Sequence, residues 1–232
     1  MHKTQHARTF SRMARRAAAA VLAAELALSP LACAPGLSRL SYRNFGDVIY
    51  VEELGKALDV SAVRRMEGDR QFDVIRTRAG TFILGRGFSH LYRIENNQLS
   101  YVSLGSPLAH PQPFAVGKTL VVYDSGRLIA WRGEDIGLYQ LGIAQATLLA
   151  SEKALFIIGG KAAFLFTEEY GLREIGISGI LAEEGVPEIL EPAVKDLGED
   201  FSLTGSNLKK SYLYKKRAPE ISYKEVEKHD ER

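Results

Sequence analysis

Thr119-Leu120-Val121-Val122-Tyr123-Asp124-Ser125-Gly126-Arg127-Leu128-Ile129-Ala130-Trp131 is the stretch that decides the fold class. Two apolar, β-branched runs flank an Asp-Ser-Gly turn, which is the signature of a hairpin rather than a helix. A second copy follows: Leu155-Phe156-Ile157-Ile158 turns at Gly159-Gly160 into Ala162-Ala163-Phe164-Leu165-Phe166. The two copies also end alike, in Gly137-Leu138-Tyr139-Gln140-Leu141-Gly142-Ile143 and Gly171-Leu172-Arg173-Glu174-Ile175-Gly176-Ile177. Their spacing of about 35 residues is close to the period of a propeller blade or of stacked β-meanders.

Upstream, Phe72–Arg78 leads through Ala79-Gly80 into Thr81–Leu84, and Leu91–Ile94 leads through Glu95-Asn96-Asn97 into Gln98–Leu104, giving two further hairpins. Pro107, Pro111 and Pro113 mark an extended loop. In a propeller-like arrangement, Thr81 and Phe201 begin outlying blades. Before the hairpins, Asp47–Val51 reads as a strand, and Leu54, Ala57 and Leu58, at i, i+3, i+4, predict one short helix over Glu52–Leu58. Residues 178–200, with Pro187, Pro192 and several glutamates, read as an acidic connector holding a short helix at most. Leu208–Arg217 is basic with interleaved tyrosines, either a segment that touches an anionic surface or an edge strand guarded by lysines before a frayed terminus.

The expected fold is therefore mainly β: a meander- and hairpin-rich twisted sheet with one short helix near the start of the mature chain and propeller-like repeats. The expected organisation is a signal peptide over 1–32, a linker over 33–43, a β domain over 44–123, a continuous hairpin-repeat region over 124–206, and a basic strand and tail over 207–232.

Residues 1–32 carry Lys3, Arg8, Arg12, Arg15 and Arg16 against Glu25, followed by an alanine- and leucine-rich run ending at Ser29-Pro30. This is the basic and apolar build of a secretory signal, with Met13 as an alternative start. The apolar run is too short to span a bilayer. Leu31-Ala32-Cys33 places the single cysteine where a lipoprotein signal has its acylated residue, although Pro30 stands where such a signal normally has leucine. Cleavage by ordinary signal peptidase and a mitochondrial presequence are the alternatives. The net charge of +2 is concentrated in this leader, so the rest of the chain is slightly acidic and gives no footing for nucleic-acid binding.

Catalytic chemistry finds no frame in the sequence. One cysteine excludes a disulfide framework and a cysteine-rich zinc site. Val116-Gly117-Lys118-Thr119 copies the end of a phosphate-binding loop, but Gln112 stands where that loop needs its first glycine, and a strand follows where it needs a helix. His90, His110 and His229 are scattered, so no catalytic residue, metal or cofactor is assigned.

Asp47 to Tyr123 resembles the copper amine oxidase N-terminal-like domain, the stalk domain of bacterial envelope proteins. The resemblance rests on Tyr50-Val51-Glu52-Glu53-Leu54-Gly55-Lys56-Ala57-Leu58, Gly87-Phe88-Ser89, Asn96-Asn97, the loop from Pro107 to Pro113, and Gly117-Lys118-Thr119-Leu120-Val121-Val122, in the family's order. Glu52, Asn97 and Val122 depart from its pattern, having replaced a proline, a turn glycine and a second proline. Such domains are often attached to N-acetylmuramoyl-L-alanine amidases. The resemblance implies a noncatalytic attachment or spacing module and transfers no catalytic residue.

The functional expectation is a noncatalytic exported envelope protein, lipid-anchored through Cys33, that binds cell-wall polymer or an envelope protein. Tyr92, Tyr101, Tyr123, Trp131 and Tyr139 are the aromatics expected to be exposed and to stack on sugars or fill a partner's pockets. Alternating core and cross-strand packing is their other reading. A propeller-like protein-interaction scaffold or assembly lipoprotein is the alternative function, and an enzyme of unrecognised type the second.

Overall fold

A computed structural model describes residues 36–215 apart from 144 and 199. The signal peptide over 1–32, Cys33 and residues 216–232 of the basic tail lie outside the described residues. The described residues all fall in one compact unit.

Nineteen strands in that unit make five antiparallel sheets. The first sheet holds β2 (Tyr42–Phe45), β3 (Val48–Val51) and β4 (Lys56–Asp59). The second is the meander β5 (Asp73–Thr77), β6 (Gly80–Leu84), β7 (His90–Glu95) and β8 (Gln98–Ser103), with β1 (Ser38–Leu40) added beside β5. The third runs β9 (Gln112–Val116), β10 (Thr119–Asp124), β11 (Arg127–Arg132), β12 (Asp135–Gln140). The fourth repeats it with β13 (Thr147–Ala150), β14 (Ala154–Gly159), β15 (Ala162–Thr167), β16 (Gly171–Ile175). The fifth holds β17 (Ala193–Asp196), β18 (Asp200–Thr204) and β19 (Tyr212–Lys215). The hairpins expected at Phe72, Leu91, Thr119 and Leu155 are all present, and the two copies each extend to a full four-stranded meander. The chain is mainly β, as its sequence implies.

Register shows how these sheets pack. Residues opposed across a ladder share a face, so alternate positions on each strand look toward different neighbours. In the third sheet, Leu120 opposes Trp131 and Val122 opposes Ile129, and this face joins the core of the first two sheets. The rings of Phe82 and Trp131 meet edge to face at 5.6 Å across that junction. The other face, with Val121, Tyr123, Leu128 and Ala130, packs on Leu155, Ile157 and Phe166 of the fourth sheet. The reverse face of the fourth sheet, Phe156, Ile158 and Leu165, closes on Phe201, Leu203, Tyr212 and Tyr214 of the fifth. Successive meanders are thus stacked face to face.

Two helices interrupt the strands. The expected helix over Glu52–Leu58 does not form: the segment makes one 3-10 turn, Glu52–Leu54, then enters β4. Gly55, in the left-handed region at φ 59°, stops the turn, and Ala57 and Leu58 pair with Tyr50 and Ile49. Leu58 is buried from a strand, so its helical spacing from Leu54 is incidental. The α-helix of this region is α1 (Ser61–Glu67), begun where Ser61 N–H donates to Asp59 Oδ1 at 2.8 Å and ended at Gly68. Its i, i+4 pair Val63 and Glu67 faces inward. The second helix, α2 (Ser178–Glu184), lies in the acidic connector and also ends in a glutamate followed by glycine. Among the described residues no helix is long and apolar enough to cross a membrane.

Candidate functional site

α1 delivers its last residue, Glu67, into the interior, where it is 1% exposed. The carboxylate accepts the backbone N–H of Ser89 at 3.0 Å and that of His90 at 3.1 Å. It also lies 2.8 Å from His90 Nδ1 and accepts the Tyr92 hydroxyl at 3.0 Å. Burial works to raise its pKa, but these hydrogen bonds outweigh it and hold the group below its ordinary value. Burial and the adjoining carboxylate push the Tyr92 hydroxyl upward, so it remains a neutral donor.

The carboxylate thereby pins the loop from Gly85 to Ser89 between β6 and β7. The loop is tied at three further points: Gly87 N–H donates to Leu108 O, Leu108 N–H to Phe88 O, and Phe88 N–H to Gly85 O. Gly85 is required sterically, since a Cβ there would lie 2.5 Å from Gln71 O and 2.9 Å from the Phe88 ring.

Between this loop, β2 and the start of β5 opens a cleft of about 460 Å³ lined by Tyr42, Asn44, Gln71, Phe72, Asp73, Gly85 and Arg86. Two of these residues are aromatic, the half-buried Tyr42 and the buried Phe72 behind it. The Tyr42 and Phe72 rings are stacked 5.1 Å apart at 9°, and Tyr42 OH donates to Phe72 O at 2.9 Å, which fixes the ring plane. Burial raises the Tyr42 pKa, and the nearby Asp73 charge adds to it, so the hydroxyl stays protonated. The rim offers two amides, a carboxylate and a guanidinium. Arg39 lies 3.4 Å from Asp73 and matches its charge. An ordered aromatic surface with a few convergent polar groups is the general build of a small-ligand site.

The aromatics expected from sequence fall elsewhere, and three of them are corrected by burial. Tyr92, Tyr123 and Trp131 are at most 4% exposed. Tyr123 OH donates to Ile143 O at 2.6 Å and Trp131 Nε1 to Gly133 O at 3.0 Å. Their alternation does not leave one face wet, because both faces of inner sheets are covered by neighbouring sheets. Tyr139 is half-buried over Gly137, and Tyr101 is exposed, its ring edge to face with His90 at 5.5 Å. The structure brings Tyr92 and Tyr101 together, sets Tyr123 and Tyr139 on one face of the third sheet on either side of Leu128, and leaves Trp131 on the other face. Sequence reading missed Tyr42, which lay in the presumed linker, and Phe72, which read as an ordinary strand residue. An aromatic just before the apolar strand Val48–Val51 was the available signal for Tyr42.

The phosphate-loop mimic is a β-turn in the structure. Gly117 N–H donates to Glu152 O and Lys118 N–H to Glu168 Oε2, and Thr119 is buried in β10.

No family model and no curated protein matches the chain. Among solved structures, AztD from Citrobacter koseri is similar at a TM-score of 0.39 and 9% identity, over 82% of this chain and 59% of that one. BBS1N in complex with ARL6DN gives 0.32 and 13%, over 80% and 64%. PorZ, a surface component of the type-IX secretion system of Porphyromonas gingivalis, gives 0.28 and 8%, over 84% and 32%. This chain therefore spans about three fifths of the AztD chain, and at these scores the likenesses carry no inference about function.

Proposed function

We propose that this chain is a noncatalytic exported envelope protein whose β body binds cell-wall polymer, held at the membrane by acylation of Cys33. The observation that carries the reading is the half-buried Tyr42 ring, held by its stack on Phe72, in a cleft with a polar rim. A flat apolar ring face beside hydroxyl-seeking groups suits a sugar ring, which has apolar C–H faces and a polar edge. The buried carboxylates support the noncatalytic part. Glu67, Asp124 and Glu184 each accept hydrogen bonds from backbone N–H groups and so fasten loops. The reading stands on the cleft rather than on the stalk-domain resemblance, whose helix is a 3-10 turn and a strand here.

The test is cosedimentation of residues 34–232 with isolated peptidoglycan sacculi at low and high salt, the latter removing weak electrostatic adhesion. Salt-resistant pelleting is expected. A protein that stays in the supernatant at both salts contradicts wall binding.

A second reading, a propeller-like scaffold for a protein partner, is favoured by the outward face of the first sheet. There Phe45 is 66% exposed, Val48 38% and Tyr50 40%. Phe45 opposes Val48 across β2 and β3, so these side chains share one face.

A further inference from the structure

We infer that the cleft is specific for an acidic sugar, with Arg86 reading a carboxylate carried by the ring that lies on Tyr42. The inference rests on the wall-binding reading and names the recognised feature as the free lactyl carboxylate of glycan stripped of its stem peptide, since elsewhere in the wall that carboxyl is amide-bonded to the peptide.

An internal repeat in the chain singles out Arg86. α2 ends in Glu184 as α1 ends in Glu67. Glu184 accepts Lys209 N–H at 3.1 Å and Tyr212 OH at 2.6 Å, just as Glu67 accepts Ser89 N–H and Tyr92 OH. Leu208 N–H donates to Gly205 O at 3.2 Å, the counterpart of Phe88 N–H to Gly85 O at the same distance. A Cβ on Gly205 would meet Leu190 O at 3.0 Å, as one on Gly85 would meet Gln71 O. The two loops are built alike.

Between these matched anchors the copies differ where the cleft lies. In the later copy, Ser206 and Asn207 follow the glycine. Asn207 Nδ2 donates to Glu188 O and its Oδ1 accepts Leu190 N–H, both at 2.8 Å, so the side chain ties the loop to the segment before β17. In the earlier copy the same places hold Arg86 and Gly87, and no such tie is made. Arg86 is exposed on the cleft rim and has no hydrogen-bond or ion-pair partner among the described residues. The repeat shows that the loop does not need an arginine. Asp73 across the cleft is already matched by Arg39, which leaves the Arg86 guanidinium as the unopposed charge. A guanidinium on a rigid loop beside the Tyr42 ring is suited to bind a carboxylate through two parallel hydrogen bonds. The Asn44 and Gln71 amides supply the neutral donors and acceptors that hydroxyl and acetamido groups require.

Two sugars isolate the claim, because N-acetylmuramic acid is N-acetylglucosamine carrying a lactyl ether with a carboxylate. Titration calorimetry of residues 34–232 should show N-acetylmuramic acid binding about tenfold more tightly or better. Arg86→Gln should lower N-acetylmuramic acid affinity by about tenfold and so abolish that preference, with the thermal midpoint unchanged. Release of the protein by free N-acetylmuramic acid from sacculi whose stem peptides have been removed by an amidase is expected if the polymer is the source of the ligand, whereas binding of the free sugar with no pelleting on such sacculi assigns the cleft to soluble acidic sugars. Equal affinity for the two sugars, or a preference that survives Arg86→Gln, overturns the inference even where sacculi still pellet. Failure of both sugars and of sacculi overturns the wall-binding reading with it.

Discussion

Glu67 and Glu184 show how a single buried carboxylate can hold a meander to its preceding helix. Each is less than 10% exposed; Glu67 accepts two backbone N–H groups and Glu184 one, and each also accepts a tyrosine hydroxyl. The Glu184 pKa is lowered chiefly by the Tyr212 hydroxyl, against the opposing effect of burial, with Lys209 N–H and the Lys209 and Lys210 charges adding to it. Because both folded-state values lie below the ordinary 4.5, the folded protein binds fewer protons near that pH than the unfolded chain does. Their contribution to stability is therefore complete above about pH 5 and is lost as pH falls through the folded-state values. Urea midpoints measured from pH 7 down to 3 should fall below about pH 4.5. Glu67→Gln should be less stable at pH 7 by about 2 kcal/mol, with the gap to the natural protein closing in acid. A gap independent of pH would mean that the carboxylate charge is not what fastens the loop. This pairing was not legible in the sequence, since a helix-terminal glutamate and a strand tyrosine some 25 residues on carry no local signal of contact.

Elements with strong local grammar were legible. Glycine- and asparagine-containing turns between β-branched runs placed β5, β6, β7, β8, β10, β11, β14 and β15 close to where they are. The misplaced helix near Glu52 shows the limit: three apolar residues at helical spacing also fit a turn followed by a strand, and Gly55 settled the choice through its backbone. β17 was hidden among prolines and acids, and β18 was marked only by Phe201 as an outlying blade, because their stability comes from packing Phe201 and Leu203 on the fourth sheet rather than from propensity. The first sheet illustrates the same dependence. Its inner residues Ile49, Val51 and Leu58 are buried, while Phe45, Val48 and Tyr50 on the outer face are not. Ile49→Ala should cost about 2–4 kcal/mol and Phe45→Ser less than about 0.5 kcal/mol by chemical denaturation. A large loss from Phe45→Ser would show that the outer face is covered within the chain itself and would remove it as a docking surface.

At the scale of the molecule, the stack of sheets explains why the binding aromatics could not be picked from alternation. In an inner sheet both faces are interior, so Tyr123 and Trp131 are core residues, and the surfaces left for a ligand lie at sheet edges and loops. The end sheets differ in kind. The fifth sheet turns Lys195, Ser202, Thr204 and Lys215 away from Phe201 and Leu203, whereas the first turns Phe45, Val48 and Tyr50 outward. Against that background the cleft beside Tyr42 is the place where an ordered aromatic surface meets an unopposed charge. Its assignment is tested most directly by amide chemical-shift mapping of residues 34–232 titrated with soluble glycan fragments of peptidoglycan. The account predicts saturable shifts confined to Tyr42, Asn44, Gln71, Asp73 and the Gly85–Ser89 loop. Shifts centred instead on Tyr101, on Tyr139 or on the outer face at Phe45 and Tyr50, or no saturable shifts at all, would contradict it.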